Sequence, residues 1–281
     1  MLHSLSLPSF TSSSNHNYKT LNSHNFSQLS NPNSYLKFRT THQENVHYLK
    51  AIGIINPKTK PHQLPSPDSI TQIINTINFF KSKGFEDTDF SKLTSVCPQL
   101  LFNSFEVTDI DPVFEFLNSE LNASFQESRG FITNCPELLF SDVEHCLKPS
   151  LDYLRKLRVA KLNVPSKANA YLLNTRVEKL RSKVKFMRSV GLSHEEASSF
   201  CARVPAIFRY SIEFNLRPKL EFLLKGMGRS MEELKEFPQY FGFSLRKRIV
   251  PRHLHLKQRD VRIKLNRMLM WSDQRFYTKW K

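Results

Sequence analysis

The sequence predicts an all-α protein built as a helical-repeat solenoid of about five units, each of about 35 residues. Three observations predict it. A short apolar element, usually centred on proline, recurs along the chain. A second anchor follows each copy at a nearly constant distance. Glycine is scarce, with 7 in 281 residues, which argues against glycine-rich phosphate loops and against an all-β fold with many tight turns.

The first element reads VCPQLLF (96–102), NCPELLF (134–140), NAYLLNT (169–175), RVPAIFR (203–209) and EFPQYFG (236–242). Its anchors are Pro98, Pro136, Ala170, Pro205 and Pro238, spaced 38, 34, 35 and 33 apart. The second element reads DPVFEFL, KPSLDYL, RSKVKFM, RPKLEFL and VPRHLHL. Its anchors Pro112, Pro149, Ser182, Pro218 and Pro251 follow at 14, 13, 12, 13 and 13 residues. The third unit departs from the pattern twice, at Ala170 and at Ser182.

Each unit reads as two helices. After the first anchor, apolar residues fall at helical spacing, as in Ile212, Leu216, Leu220 and Leu223, or Val177, Leu180, Val184 and Met187. Capping boxes are expected at Ser141/Glu144, Thr175/Glu178, Ser193/Glu196 and Ser230/Glu233. Gly84, Gly191 and Gly228 read as helix ends. The first proline should stop the shorter helix, because the residue before a proline avoids the α region. The second should begin the longer helix or kink it. Residues 70–90 read as the second helix of a leading partial unit. A lone helix pair cannot bury its apolar stripe; stacking buries it and forms a concave face.

The N-terminus is different material. Residues 1–40 hold ten Ser and six Asn, and Glu44 is the first acid. No continuous apolar stretch marks a secretory signal, so residues 1–50 read as a disordered organelle transit peptide. Arginine is scarce there, which favours the chloroplast, with the mitochondrion second. Residues 51–68 carry Pro57, Pro61, Pro65 and Pro67 and read as a linker. Repeats are expected over 69–256, followed by a basic cap or tail over 257–281.

The P-x-L-[LF] element, the P-x-[LV]-x-[FY]-L element about 13 residues later, and the terminal FPQYFGFSLRKRIVPRH together resemble the mitochondrial transcription termination factor (mTERF) family, in its plant plastid-targeted form. The resemblance covers about residues 70–281. It implies a half-doughnut of left-handed repeats, each two α-helices and a 3-10 turn, that binds nucleic acid along a basic groove. It also implies a role in organellar transcription termination or other transcription control, with RNA splicing or ribosomal RNA maturation for some plant members.

Charge supports a polyanionic partner. The chain carries 41 Lys and Arg against 25 Asp and Glu, a net of +16. Residues 1–140 have 10 basic and 12 acidic side chains, whereas residues 141–281 have 31 and 13, so the surplus is confined to one half. The third long helix offers Arg176, Lys179 and Lys183 on one face. The fourth places Arg217 and Lys219 beside Pro218, and the fifth carries Arg246, Lys247, Arg248 and Arg252. The tail adds Lys257, Arg259 and Arg262. Stacking should align these cations along a groove, where they would give affinity and salt dependence with little sequence information. Phe237, Pro238, Tyr240, Phe241 and Phe243 read as core of the last unit, and Trp271, Phe276, Tyr277 and Trp280 as its cap.

Catalytic signatures are missing from the sequence. GxxxxGK[ST], GxSxG and HExxH do not occur, and the four cysteines show no CxxC. Cys97 and Cys135 precede their prolines at a packing position. No apolar run approaches about 18 residues. The expectation is therefore a monomeric, non-enzymatic protein without metal or cofactor, away from the membrane, whose partner is double-stranded DNA and/or structured RNA. The alternative is a solenoid adaptor that docks protein partners or a ribosomal or RNA-processing particle.

Overall fold

A computed structural model describes residues 41–101 and 105–281, and among these residues every regular element is helical. The chain enters through α1 (His42–Ala51) and α2 (Pro67–Ser82). Thr41 and Glu44 form a reciprocal capping box on α1, and Leu49 is fully buried against the following helices. The expected leader and linker, residues 1–50 and 51–68, therefore need correction at their shared edge. Residues 1–40 lie outside the described residues, but 42–51 are packed helix. The proline-rich segment also contributes a 3-10 turn over Pro61–Gln63, and Pro67 opens α2 under a Ser66 cap.

The first unit pairs α3 (Asp87–Val96) with α4 (Asp111–Leu121). The second pairs α5 (Phe125–Asn134) with α6 (Lys148–Lys156), and the third pairs α7 (Lys167–Leu173) with α8 (Val177–Ser189). The fourth joins α9 (His194–Arg203) to the short α10 (Arg217–Glu221), and the fifth joins α11 (Met231–Glu236) to α12 (Val250–Lys257). Two further helices, α13 (Leu265–Met270) and α14 (Asp273–Lys279), close the chain. Their Leu265, Met268, Leu269 and Phe276 are buried, so the basic tail is a packed end-piece. Trp271 and Trp280 are half-buried in it, while Tyr277 stays exposed.

The first anchor acts as its chemistry requires. Cys97, Cys135, Val204 and Phe237, each directly before a proline, share φ between −123° and −149° and ψ between 68° and 80°, outside the α region. A 3-10 turn then runs over Pro98–Leu101, Pro136–Phe140, Pro205–Arg209 and Pro238–Gly242. Each turn sinks apolar side chains between the helices. Leu138, Leu139, Ile207 and Phe241 are almost wholly buried, a gain of about 1.5–3 kcal/mol per side chain. In the third unit Ala170 replaces the proline, and residues 167–173 are plain α-helix.

The second anchor produces a π turn. Val143–Leu147, Ile212–Leu216 and Leu245–Ile249 are each one turn of π-helix, followed by Pro149, Pro218 or Pro251 within two residues. The amides of Leu147, Leu216 and Ile249 reach back five residues to the carbonyls of Asp142, Ser211 and Ser244, all at 3.0 Å. A proline ring crowds the carbonyl four residues earlier and supplies no N–H to it; the wider turn relieves both. Asp142, Ser211 and Ser244 cap these turns. A π turn holds one residue more than the α turn it replaces. That residue accounts for the anchor spacing of 13 in these units against 12 in the third, where Ser182 sits within the unbroken α8. In the first unit Pro112 lies in the opening turn of α4, so there the proline begins the helix.

Of the four expected capping boxes, only one forms in full. Asp142 caps where Ser141 was expected, and the Thr175 hydroxyl donates to the Tyr171 carbonyl at 2.7 Å, leaving α8 without a side-chain cap. Ser193 and Glu196 form the reciprocal box, and Ser230 accepts the Glu233 amide. Gly191 ends its helix with φ of +104°, a conformation open to glycine but not to most residues.

Candidate nucleic-acid interface

Counting from the second anchor sorts the candidate cations into two groups with different tasks. The residue directly after the anchor is Ser150, Lys183, Lys219 or Arg252 in units two to five. In three of these units its side chain binds a backbone carbonyl of the element that follows. Ser150 Oγ donates to Thr175 at 2.5 Å, Lys219 Nζ to Phe241 at 2.7 Å, and Arg252 Nη1 to Met268 at 2.6 Å. This position pins one repeat to the next.

The pinning position removes two expected site residues from the surface. Lys219 is 6% exposed and also donates to Asn215 Oδ1 at 2.8 Å. Burial pulls its ammonium down to about 8 from the ordinary lysine value. The Tyr240 hydroxyl donates to the Lys219 carbonyl at 2.8 Å, and its phenol is pushed up by burial. Arg252 is 1% exposed; its Nη2 donates to Trp271 at 2.8 Å and meets Asp273 at 2.5 Å. Arg248 is drawn the same way, with Nε on the Leu269 carbonyl at 2.9 Å and the guanidinium 5.4 Å from the Phe243 ring centre. Thus two of the four cations in RKRIVPR hold the terminal helices. Lys183 is half-buried at the same position, and its ammonium is lowered first by burial and then by Lys179.

The remaining candidates stay at the surface. Arg176, Lys179, Arg246, Lys247 and Lys257 are exposed, and their side chains make no hydrogen bond or ion pair among the described residues. Arg217 is exposed and grips Glu213 through Nε at 2.9 Å and Nη2 at 3.0 Å. Arg259 donates to the His255 carbonyl at 3.1 Å, and Arg262 to Glu233 at 3.1 Å. Glu233 also pairs with the buried Arg229, which donates to the Ile263 carbonyl at 2.8 Å, so Arg262 sits in a clamp between α11 and the tail.

Sequence reasoning singled out Arg217 but not the position it shares with other units, directly before the second anchor. It is Lys148, Arg181 and Arg217 in units two to four; the two arginines are exposed, and Lys148 is half-buried and paired with Glu144 at 2.5 Å. Arg181 lies 5.6 Å from the Tyr153 ring centre and Arg217 lies 5.5 Å from that of Phe186. In both pairs the ring belongs to the preceding repeat and stands four residues after its anchor. Alignment on the anchor alone would have revealed the series. The aromatic run behaves as expected: Phe237, Pro238, Tyr240 and Phe241 are buried, and Phe237 stacks on Phe243 with ring centres 6.1 Å apart. Phe214, which drew no notice in the sequence, is 91% exposed on the π turn of the fourth unit.

Nucleophilic chemistry finds little footing here. Burial pushes the Cys201 thiol up to about 12 and the Cys97 thiol up to about 11. Among the described residues no three His, Cys, Asp or Glu side chains gather as metal ligands, and no helix is long and apolar enough to cross a membrane.

A family model described as mTERF matches residues 126–277, from the start of α5 into α14. The chain belongs to the mTERF family. The match takes in units two to five and the terminal helices, the part of the mTERF chain that holds the three π turns preceding second anchors. Among curated proteins, one relative is the Arabidopsis thaliana "Transcription termination factor MTERF2, chloroplastic", 36% identical over 98 residues, covering 35% of this chain and 15% of that protein. Another is "Transcription termination factor MTERF8, chloroplastic" of the same plant, 23% identical over 82% of this chain and 53% of that protein. A third, "Transcription termination factor MTERF15, mitochondrial", is 27% identical over 66% of this chain and 48% of that protein. The chain spans about half the length, or less, of these relatives.

Proposed function

We propose that this mTERF chain acts in an organelle, the chloroplast first, as a transcription-termination or transcription-regulation factor that binds double-stranded DNA. The observation that carries the reading is the set of exposed cations, unpaired among the described residues, at the entry to and along the second helices of units three and five: Arg176, Lys179, Arg246, Lys247 and Lys257. They belong to the half of the chain with 31 basic and 13 acidic side chains. A charged surface that spends no charge on internal ion pairs suits a phosphate backbone, which rewards neutralisation by releasing counterions. The transcriptional role and the compartment are those named for the chain's relatives.

The test is binding of the full chain to duplex DNA, duplex RNA and single-stranded RNA of equal length across a salt series. Duplex DNA should bind with a log–log slope of about −0.9 for each phosphate contact. Arg246→Gln with Lys247→Gln should make that slope shallower by about 2. Tighter binding to an RNA ligand would reassign the ligand to structured RNA. Weak binding with no salt dependence on all three would overturn the reading.

A further inference from the structure

The residue before the second anchor and the aromatic residue four places after it form a ladder between repeats. Arg181 of the third unit rests on Tyr153 of the second, and Arg217 of the fourth rests on Phe186 of the third. Lys148 and Phe116, the same two positions one step earlier, line one cleft of about 380 Å³ between α4 and α6. Tyr153 and Arg181 line the next cleft, of about 550 Å³, between α6 and α8. At the last step Val250 replaces the cation, and the Phe222 ring instead meets His253 edge-on at 5.7 Å.

A long exposed cation ordinarily samples many rotamers and surrenders that freedom on binding. A ring beneath the guanidinium holds it in place while leaving donors directed at solvent. Because the ring comes from the neighbouring repeat, the position of each arginine is set by the stacking of the solenoid, so the cations recur at the repeat spacing. Arg181 makes no ion pair among the described residues. Arg217 shares its fork with Glu213, which competes with any incoming anion.

We propose that Arg181 and Arg217 contact successive backbone phosphates, and that Tyr153 and Phe186 are positioning residues that hold these arginines at the repeat spacing. The inference rests on the nucleic-acid reading above and deepens it, by naming a ring-braced cation row that Arg246 and Lys247 do not belong to.

The test compares variants of the full chain on the duplex DNA of the salt series. Arg181→Gln should make the slope shallower by about 0.9, the loss of one phosphate contact. Tyr153→Leu should weaken binding about two- to fivefold with the slope unchanged, because the charge remains and only its bracing is lost. Tyr153→Phe keeps the ring and should bind like the unaltered chain, which separates bracing from misfolding. Glu213→Gln should tighten binding by freeing Arg217. An unchanged slope in Arg181→Gln, or unaltered affinity in Tyr153→Leu, would overturn the ladder while salt-dependent binding by the unaltered chain left the proposed function standing. Failure of the unaltered chain to bind would remove both.

Discussion

The Arg252 guanidinium lies 4.5 Å from the centre of the Phe276 ring, sandwiching the last repeat against the terminal helix. The same side chain supplies donors to the carbonyls of Met268 and Trp271 and to the Asp273 carboxylate. Arg252 holds that carboxyl below the usual aspartate range. One buried cation thus collects four contacts spread over nine residues of the tail.

Removing it should loosen the tail and leave the Met268 carbonyl without that donor, whereas the Trp271 carbonyl keeps the one from Arg248. Arg252→Ala is expected to cost about 2–4 kcal/mol, read as a lower urea midpoint. Arg252→Lys should recover only part, since an ammonium cannot reproduce a planar fork stacked on a ring. A midpoint within experimental error of the unaltered chain for Arg252→Ala would show that α13 and α14 dock without the clasp.

The third unit supplies a test of the π turns. Ser182→Pro places a proline inside α8, which has no wide turn and no side-chain cap before it. It should cost about 3 kcal/mol. Pro218→Ala, behind a π turn, should cost no more than about 1 kcal/mol, mainly through the greater freedom of the unfolded chain. Equal costs for the two variants in chemical denaturation would sink the idea that the π turn accommodates the proline.

Lys219 gives stability a distinctive pH dependence. Its ammonium titrates near 8 in the folded chain and at the ordinary lysine value once unfolded. Between those values the unfolded chain holds a proton that the folded chain has released. Stability should therefore rise with pH from about 8 to about 10.5, by on the order of 3 kcal/mol from this residue, and should show no slope from it below pH 8. Urea melts of the unaltered chain and Lys219→Met at pH 7.5 and pH 10 read the effect as a difference. Parallel pH profiles would contradict it.

Thiol chemistry should be slow in the folded state. With Cys201 near 12 and Cys97 near 11, the thiolate fractions at pH 8 are on the order of 10⁻³ or less, and burial blocks approach. Burial also raises Cys135 and Cys146. A thiol-reactive dye should label none of the four cysteines rapidly in native buffer and all four in denaturant. A fast native phase would point to a reactive cysteine.

The fold was legible because proline leaves a local signature. Each Pro in the first anchor forces the preceding residue out of the α region, so phase alone located the helix ends. The spacing of 12 in the third unit also carried the missing π residue, although its meaning became visible only from the backbone hydrogen bonds. Helix α1 escaped notice because only Val46 and Leu49 of its ten residues are buried, too few for a clear stripe.

The interface was less legible because charge in a sequence does not say where a side chain ends. Lys219, Arg248 and Arg252 look like their exposed neighbours until the carbonyls of the next element come within reach. Those carbonyls lie 16 to 22 residues further along, beyond any local pattern. Arg181 was the opposite case, a true surface cation whose bracing ring lies 28 positions earlier.

The pins of Ser150, Lys219 and Arg252 all point the same way, toward residues 25, 22 and 16 positions nearer the C-terminus. During synthesis each of these donors emerges from the ribosome before its acceptor does. A repeat can be latched only after the next stretch has emerged, and the fifth is latched last, when the final helices are released. Shortening the chain from residue 276 back to residue 269 would remove Phe276, Asp273 and Trp271 one after another while Met268 remained, leaving every repeat complete and the fifth still unlatched.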